Sequence, residues 1–94
     1  MARQDKVGTH KTSIRSDGSA IIVRYHYTDV VKFTPKTITL NTGGYFTNTT
    51  KTRMNQASNQ YGLGYYVFQK NYDWFVKYKG KTMKFKGNSL GFRR

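Results

Sequence analysis

The sequence predicts an α+β domain built from antiparallel β-meanders in the order ββββαβββ, a curved sheet or small open barrel with one amphipathic helix. Two patterns carry this expectation: short runs of alternating apolar residues broken by tight turns, and one stretch whose period changes to about 3.6. Composition supplies a third reason. Only 36% of the 94 residues are hydrophobic and 22% are charged, yet 8 Tyr, 6 Phe and 1 Trp are present. Each ring brings a large area to bury and few rotamers to freeze, so a core made of rings is expected where aliphatic residues are scarce.

Residues 1–10 show no periodicity and are expected to form a flexible basic arm. A single domain is expected over 11–87, followed by a flexible basic tail over 88–94 that ends in Arg93 and Arg94. The first hairpin is expected to turn at Asp17-Gly18, a pair that accommodates the positive φ values of a right-twisted hairpin and sets Ile14 opposite Ile21. Ile21, Val23, Tyr25 and Tyr27 then share one face, expected to be the core face, while Ile22, Arg24 and His26 point away.

Val30-Val31-Lys32-Phe33 and Thr37-Ile38-Thr39-Leu40 form the second hairpin around Thr34-Pro35-Lys36, where Pro35 presets φ for the turn. Val31, Phe33, Ile38 and Leu40 are its core residues. Asn41-Thr42-Gly43-Gly44 breaks the pattern. From Thr49 to Tyr61, Thr50, Met54, Ala57 and Tyr61 recur at helical spacing. Asn48 or Thr47 is placed to cap this helix and Gly62 to end it. The stripe is narrow and the helix is rich in Thr, Asn and Ser, so tertiary packing must hold it.

The last third reads as three strands, Tyr65–Lys70, Asp73–Tyr78 and Lys81–Lys86, joined by Asn71-Tyr72 and Lys79-Gly80. Two-residue loops set Val67 opposite Val76, Val76 opposite Met83 and Trp74 opposite Phe85. One face then carries Tyr65, Val67, Trp74, Val76, Tyr78, Met83 and Phe85. The other carries Tyr66, Phe68, Lys70, Phe75, Lys77, Lys84 and Lys86. Agreement of apolar positions across three strands supports this register.

The formal net charge is +13, and residues 48–94 hold 10 basic side chains against one acidic. Solubility asks a small domain for a magnitude of roughly 2–8, so an anionic partner is expected. Lysines interleaved with rings on one sheet face can neutralise phosphates and stack unpaired bases. Lys70, Lys77, Lys84, Lys86, Arg93 and Arg94, with Tyr66, Phe68 and Phe75, are therefore the candidate nucleic-acid-binding residues. The three rings admit a second reading as core residues with lysine stems around them. A secondary candidate is a helix face of Lys51, Arg53, Gln56 and Gln60, joined by Asn55 and Asn59, whose amides and guanidinium match base edges. Amides on a helix also serve as plain polar surface.

Catalysis, a cofactor and a metal site are not expected. Glu and Cys are absent, and Asp17, Asp29 and Asp73 are accounted for by predicted turns. His10 and His26 have no base, nucleophile or carboxylate at a suggestive spacing. Gly43-Gly44 lacks the Lys and Ser/Thr that follow in a phosphate loop. No uninterrupted apolar run exceeds four residues, well short of the ~20 of a membrane span. The charged start Met1 to Lys6 does not resemble a secretory signal, so an intracellular location is expected.

The segments Thr28-Asp29-Val30-Val31-Lys32-Phe33, Ile38 to Gly44, Arg53-Met54-Asn55-Gln56-Ala57 and Leu63-Gly64-Tyr65, with Trp74, resemble those of a family of small proteins of bacteriophages and mobile elements. The likeness covers about residues 12–80 and carries no activity with it. It implies a phage accessory protein in the cytoplasm of the infected bacterium. The expected function is nucleic-acid binding, DNA or RNA, mainly through backbone phosphates. Docking on an acidic host or phage protein is the alternative, and a minor virion component the third.

Overall fold

The computed structural model describes residues 11–44, 46–85 and 87–94. The arm over 1–10, His10 and Lys86 lie outside the described residues. The chain runs β1 (Thr12–Asp17), β2 (Ala20–Tyr25), β3 (Thr28–Phe33), β4 (Thr37–Asn41), α1 (Asn48–Tyr61), β5 (Tyr65–Lys70), β6 (Asp73–Tyr78), β7 (Lys81–Lys84) and β8 (Ser89–Arg93). The architecture is α+β and antiparallel, as the sequence predicts. Its strands divide into two sheets, β1-β2-β3-β4-β8 and β5-β6-β7, instead of a single curved sheet or open barrel.

The eighth strand corrects the reading of 88–94 as a flexible tail. Ser89–Arg93 pairs with β4 along its whole length, from Asn41↔Ser89 to Thr37↔Arg93. Leu90 and Phe92 alternate to the inside and pack against the core. The first turn is also shifted by one residue: Asp17 pairs with Ala20, leaving Gly18-Ser19 as the loop, so Ile14 faces Val23 and not Ile21. Gly18 takes the left-handed φ of 62° at the first loop position, where a side chain would be strained.

With that register, Ile14, Val23, Val31, Leu40 and Leu90 align across the five strands, and Ser16, Ile21, Phe33, Ile38 and Phe92 form the neighbouring row. A bulge opposite Val23 and Arg24 inserts Val30, so Val30 and Val31 are both fully buried. Tyr27, assigned above to the core face, sits in the β2–β3 turn and is 91% exposed. Ile22, assigned outward, is buried, flanked in register by the long side chains of Arg15 and Lys32.

One core unites the two sheets and the helix. Val31, Phe33, Ile38 and Leu40 meet Met54 and Ala57 of α1 and Tyr65, Val67, Trp74 and Val76 of the smaller sheet. The helix begins at Thr47, whose hydroxyl accepts from the Thr50 N–H at 3.2 Å, and ends at Gly62 in the left-handed conformation. Of its predicted stripe, Thr50, Met54 and Ala57 are buried and Tyr61 is half-buried against the core.

Candidate nucleic-acid interface

The outward face of β5-β6-β7 is a small grid fixed by register. Its rows are Tyr66–Lys77–Thr82, Phe68–Phe75–Lys84 and Lys70–Asp73. Two two-residue loops at Asn71-Tyr72 and Lys79-Gly80 set this register. Alternation then separates the face from Tyr65, Val67, Trp74, Val76, Tyr78 and Phe85, which are buried on the other side. Trp74 and Phe85 lie edge to face at 6.0 Å, in the pairing the sequence predicts.

The outer rings are not core residues. Tyr66 is 59% exposed, Phe68 and Phe75 are half-buried, and Lys70, Lys77 and Lys84 are exposed. Phe68 stacks on Tyr66 with centroids 6.2 Å apart and planes 16° from parallel, and on Phe75 at 5.6 Å and 21°. Three nearly parallel rings thus run along β5 from Tyr66 to Phe68 and then straight across to Phe75 on β6, among the exposed lysines. A hollow of about 290 Å³ beside them is lined by Phe68, Lys70, Phe75 and Thr82.

Asp73 belongs to this face and is missed by a reading that assigns it only to a turn. Its carboxylate lies 3.5 Å from the Lys84 ammonium, both well exposed. Strict alternation with Phe75 and Lys77 along β6 was the available signal. Asp29 is likewise a strand residue, held by two bonds from the Arg15 guanidinium at 3.2 and 3.0 Å.

The two C-terminal arginines are not brought to the face. Arg94 donates to the Thr34 carbonyl at 2.8 Å and lies over the Phe33 ring, pinned to the β3–β4 turn. Arg93 lines a different hollow with Tyr78, Lys79, Lys81, Met83 and Phe92.

The helix face proposed for base reading is also corrected. Arg53, Asn55 and Gln56 are buried. Arg53 donates to Thr12 at 3.0 Å and to Gln56 at 3.1 Å, tying α1 to β1. Asn55 is occupied by the backbone of Val67. Gln60 stays at the surface, and Lys51 is half-buried with its ammonium 5.6 Å from the centre of the Trp74 ring. Sequence periodicity missed these buried polar residues because α1 packs on two sides, against the core and along the edge of β5.

A larger hollow, about 430 Å³, lies between α1 and β5 and is lined by Lys51, Thr52, Asn55, Tyr66, Val67, Phe68 and Gln69. Phe68 borders both this hollow and the smaller one, so its ring stands between the two. No helix among the described residues is long and apolar enough to cross a membrane.

These features define a small, strongly basic, two-sheet α+β protein with an open aromatic and lysine face. The chain belongs to the Kyanoviridae Gp96 protein family, whose model matches residues 1–91. That membership places it among bacteriophage proteins, as the resemblance implied, and extends the likeness over nearly the whole chain. None of the curated proteins and none of the solved structures matches it.

Proposed function

We propose that the chain is a nucleic-acid-binding phage protein whose interface is the outer face of β5-β6-β7. One observation carries this reading: the outward-facing ladder Tyr66–Phe68–Phe75 stands among Lys70, Lys77 and Lys84 on one sheet face. Rings left open to solvent, already parallel, offer π-faces to bases, and ammonium groups around them meet the phosphates that connect those bases. The phosphate contacts supply most of the affinity and the rings supply a sequence-tolerant stacking contribution.

Fluorescence anisotropy of a labelled oligonucleotide across a salt series tests this. With Lys51, Lys70, Lys77 and Lys84 each neutralising one phosphate, log K against log salt should fall with a slope of about −3 on a single strand. Replacing Lys70, Lys77 and Lys84 together with Gln should flatten that slope to about −1. Failure to bind any DNA or RNA at low salt removes the reading. Polyglutamate carries charge without bases, so its competing as well as an oligonucleotide would favour docking on an acidic protein instead.

A further inference from the structure

The edge of β5 that faces away from β6 is closed by helix side chains for only part of its length. At Tyr65 the Ser58 hydroxyl donates to the carbonyl at 2.7 Å and accepts from the N–H at 3.0 Å. At Val67 the Asn55 amide does the same, at 3.0 and 2.7 Å. Backbone groups alternate in direction along a strand, so Gln69 directs its N–H and C=O to this same side. The helix position that continues the series from 58 and 55 is Thr52, and no hydrogen bond joins Thr52 to Gln69 among the described residues. The 430 Å³ hollow opens at this place, with Lys51 on the helix side and the Tyr66 and Phe68 rings on the sheet side.

Building on the nucleic-acid reading above, we propose that this open position receives the Watson–Crick edge of an unpaired base, making the protein selective for single strands. The N–H and C=O of one extended residue form an adjacent donor and acceptor. Every nucleobase presents the complementary pair on its Watson–Crick edge: an amino group beside a ring nitrogen in adenine and cytosine, and a ring N–H beside a carbonyl in guanine, thymine and uracil. In a duplex that edge is already used by the partner strand. A base seated here lies against the rings of Tyr66 and Phe68, its neighbours continue along the ladder to Phe75, and Lys51 meets the adjoining phosphate. A single open backbone position is too short an edge for an added peptide strand, which needs several successive bonds. The surrounding cations favour a polyanion.

The test compares a short mixed-sequence DNA oligonucleotide with its duplex at the same salt. The wild type should bind the single strand roughly tenfold more tightly. Thr52→Asn supplies a third helix amide to close the position. It should weaken single-strand binding roughly fivefold to tenfold, leave duplex binding unchanged, and keep or raise the urea midpoint. A measurement on the unaltered chain accompanies this: the Gln69 amide should gain protection from hydrogen exchange with the single strand and not with the duplex. Equal affinity for single strand and duplex, unaltered single-strand binding by a folded Thr52→Asn, or an unprotected Gln69 amide each overturns the proposal while leaving the functional reading intact. Absence of binding to either form overturns both.

Discussion

Asn55 of the helix donates its amide to the Val67 carbonyl at 3.0 Å and accepts from the Val67 N–H at 2.7 Å, so a helix side chain stands where a neighbouring strand would be. Asn55 and Val67 are both buried, at the wall of the hollow between α1 and β5. Asn55→Ala should therefore cost about 2–4 kcal/mol, the desolvation penalty of one donor and one acceptor left unpaired. Urea unfolding measures it. A loss below about 0.5 kcal/mol would mean that the helix does not close this edge.

Tyr65 lends itself to an alkaline test. Its phenol is buried and donates to the Met54 carbonyl, and burial pushes its pKa far above the ordinary value. An unfolded tyrosine ionises near pH ~10, and above that the unfolded chain releases a proton that the folded chain retains. Stability contributed by this group is thus complete below pH ~10 and declines as pH rises, by at most about 1.4 kcal/mol per pH unit. Tyr65→Phe should lose about 1 kcal/mol at neutral pH and show a shallower alkaline decline. Parallel stability curves for the two proteins would contradict this.

Gly43 and Gly62 both hold a left-handed φ of 63°, but a Cβ on Gly43 would run into the Thr28 side chain, whereas Gly62 faces open space. Each Gly→Ala change should cost about 1 kcal/mol for the backbone conformation. Gly43→Ala should cost about 1–2 kcal/mol more for the collision. In a double-mutant cycle, Thr28→Ala removes the two nearest atoms, Oγ1 and Cγ2, and should recover most of that excess. Equal costs at the two glycines would refute the contact.

Asp73 opposes the lysines around it. Its exposed pair with Lys84 contributes little to stability, so Asp73→Asn should shift the unfolding free energy by less than about 0.5 kcal/mol. The same change removes a negative charge from the binding face and should tighten oligonucleotide binding roughly threefold at low salt, with the gain vanishing at high salt. Weaker binding by this variant would place the interface elsewhere.

The smaller sheet was legible because two short loops and strict alternation leave one register, and a shift by one residue would expose Trp74 and Val76 together. β8 was not. Ser-Leu-Gly-Phe-Arg carries two apolar residues and a glycine, and its partner β4 lies far back in the chain, so local pattern gives no sign of the pairing. The helix was found from Thr50, Met54 and Ala57, but the roles of Asn55 and Ser58 depend on a strand edge that exists only after folding. The lysines of the candidate face followed from alternation. Arg93 and Arg94 were grouped with them by charge alone, and tertiary pairing of β8 carries them to other places.

The most direct test of the interface is amide-resolved NMR of the labelled protein during titration with a single-stranded oligonucleotide. Shift changes should concentrate at Tyr66, Phe68, Lys70, Phe75, Lys77, Thr82 and Lys84, the outer grid of β5-β6-β7. Changes confined to the five-stranded sheet or to the hollow around Arg93, with that grid unmoved, would contradict it.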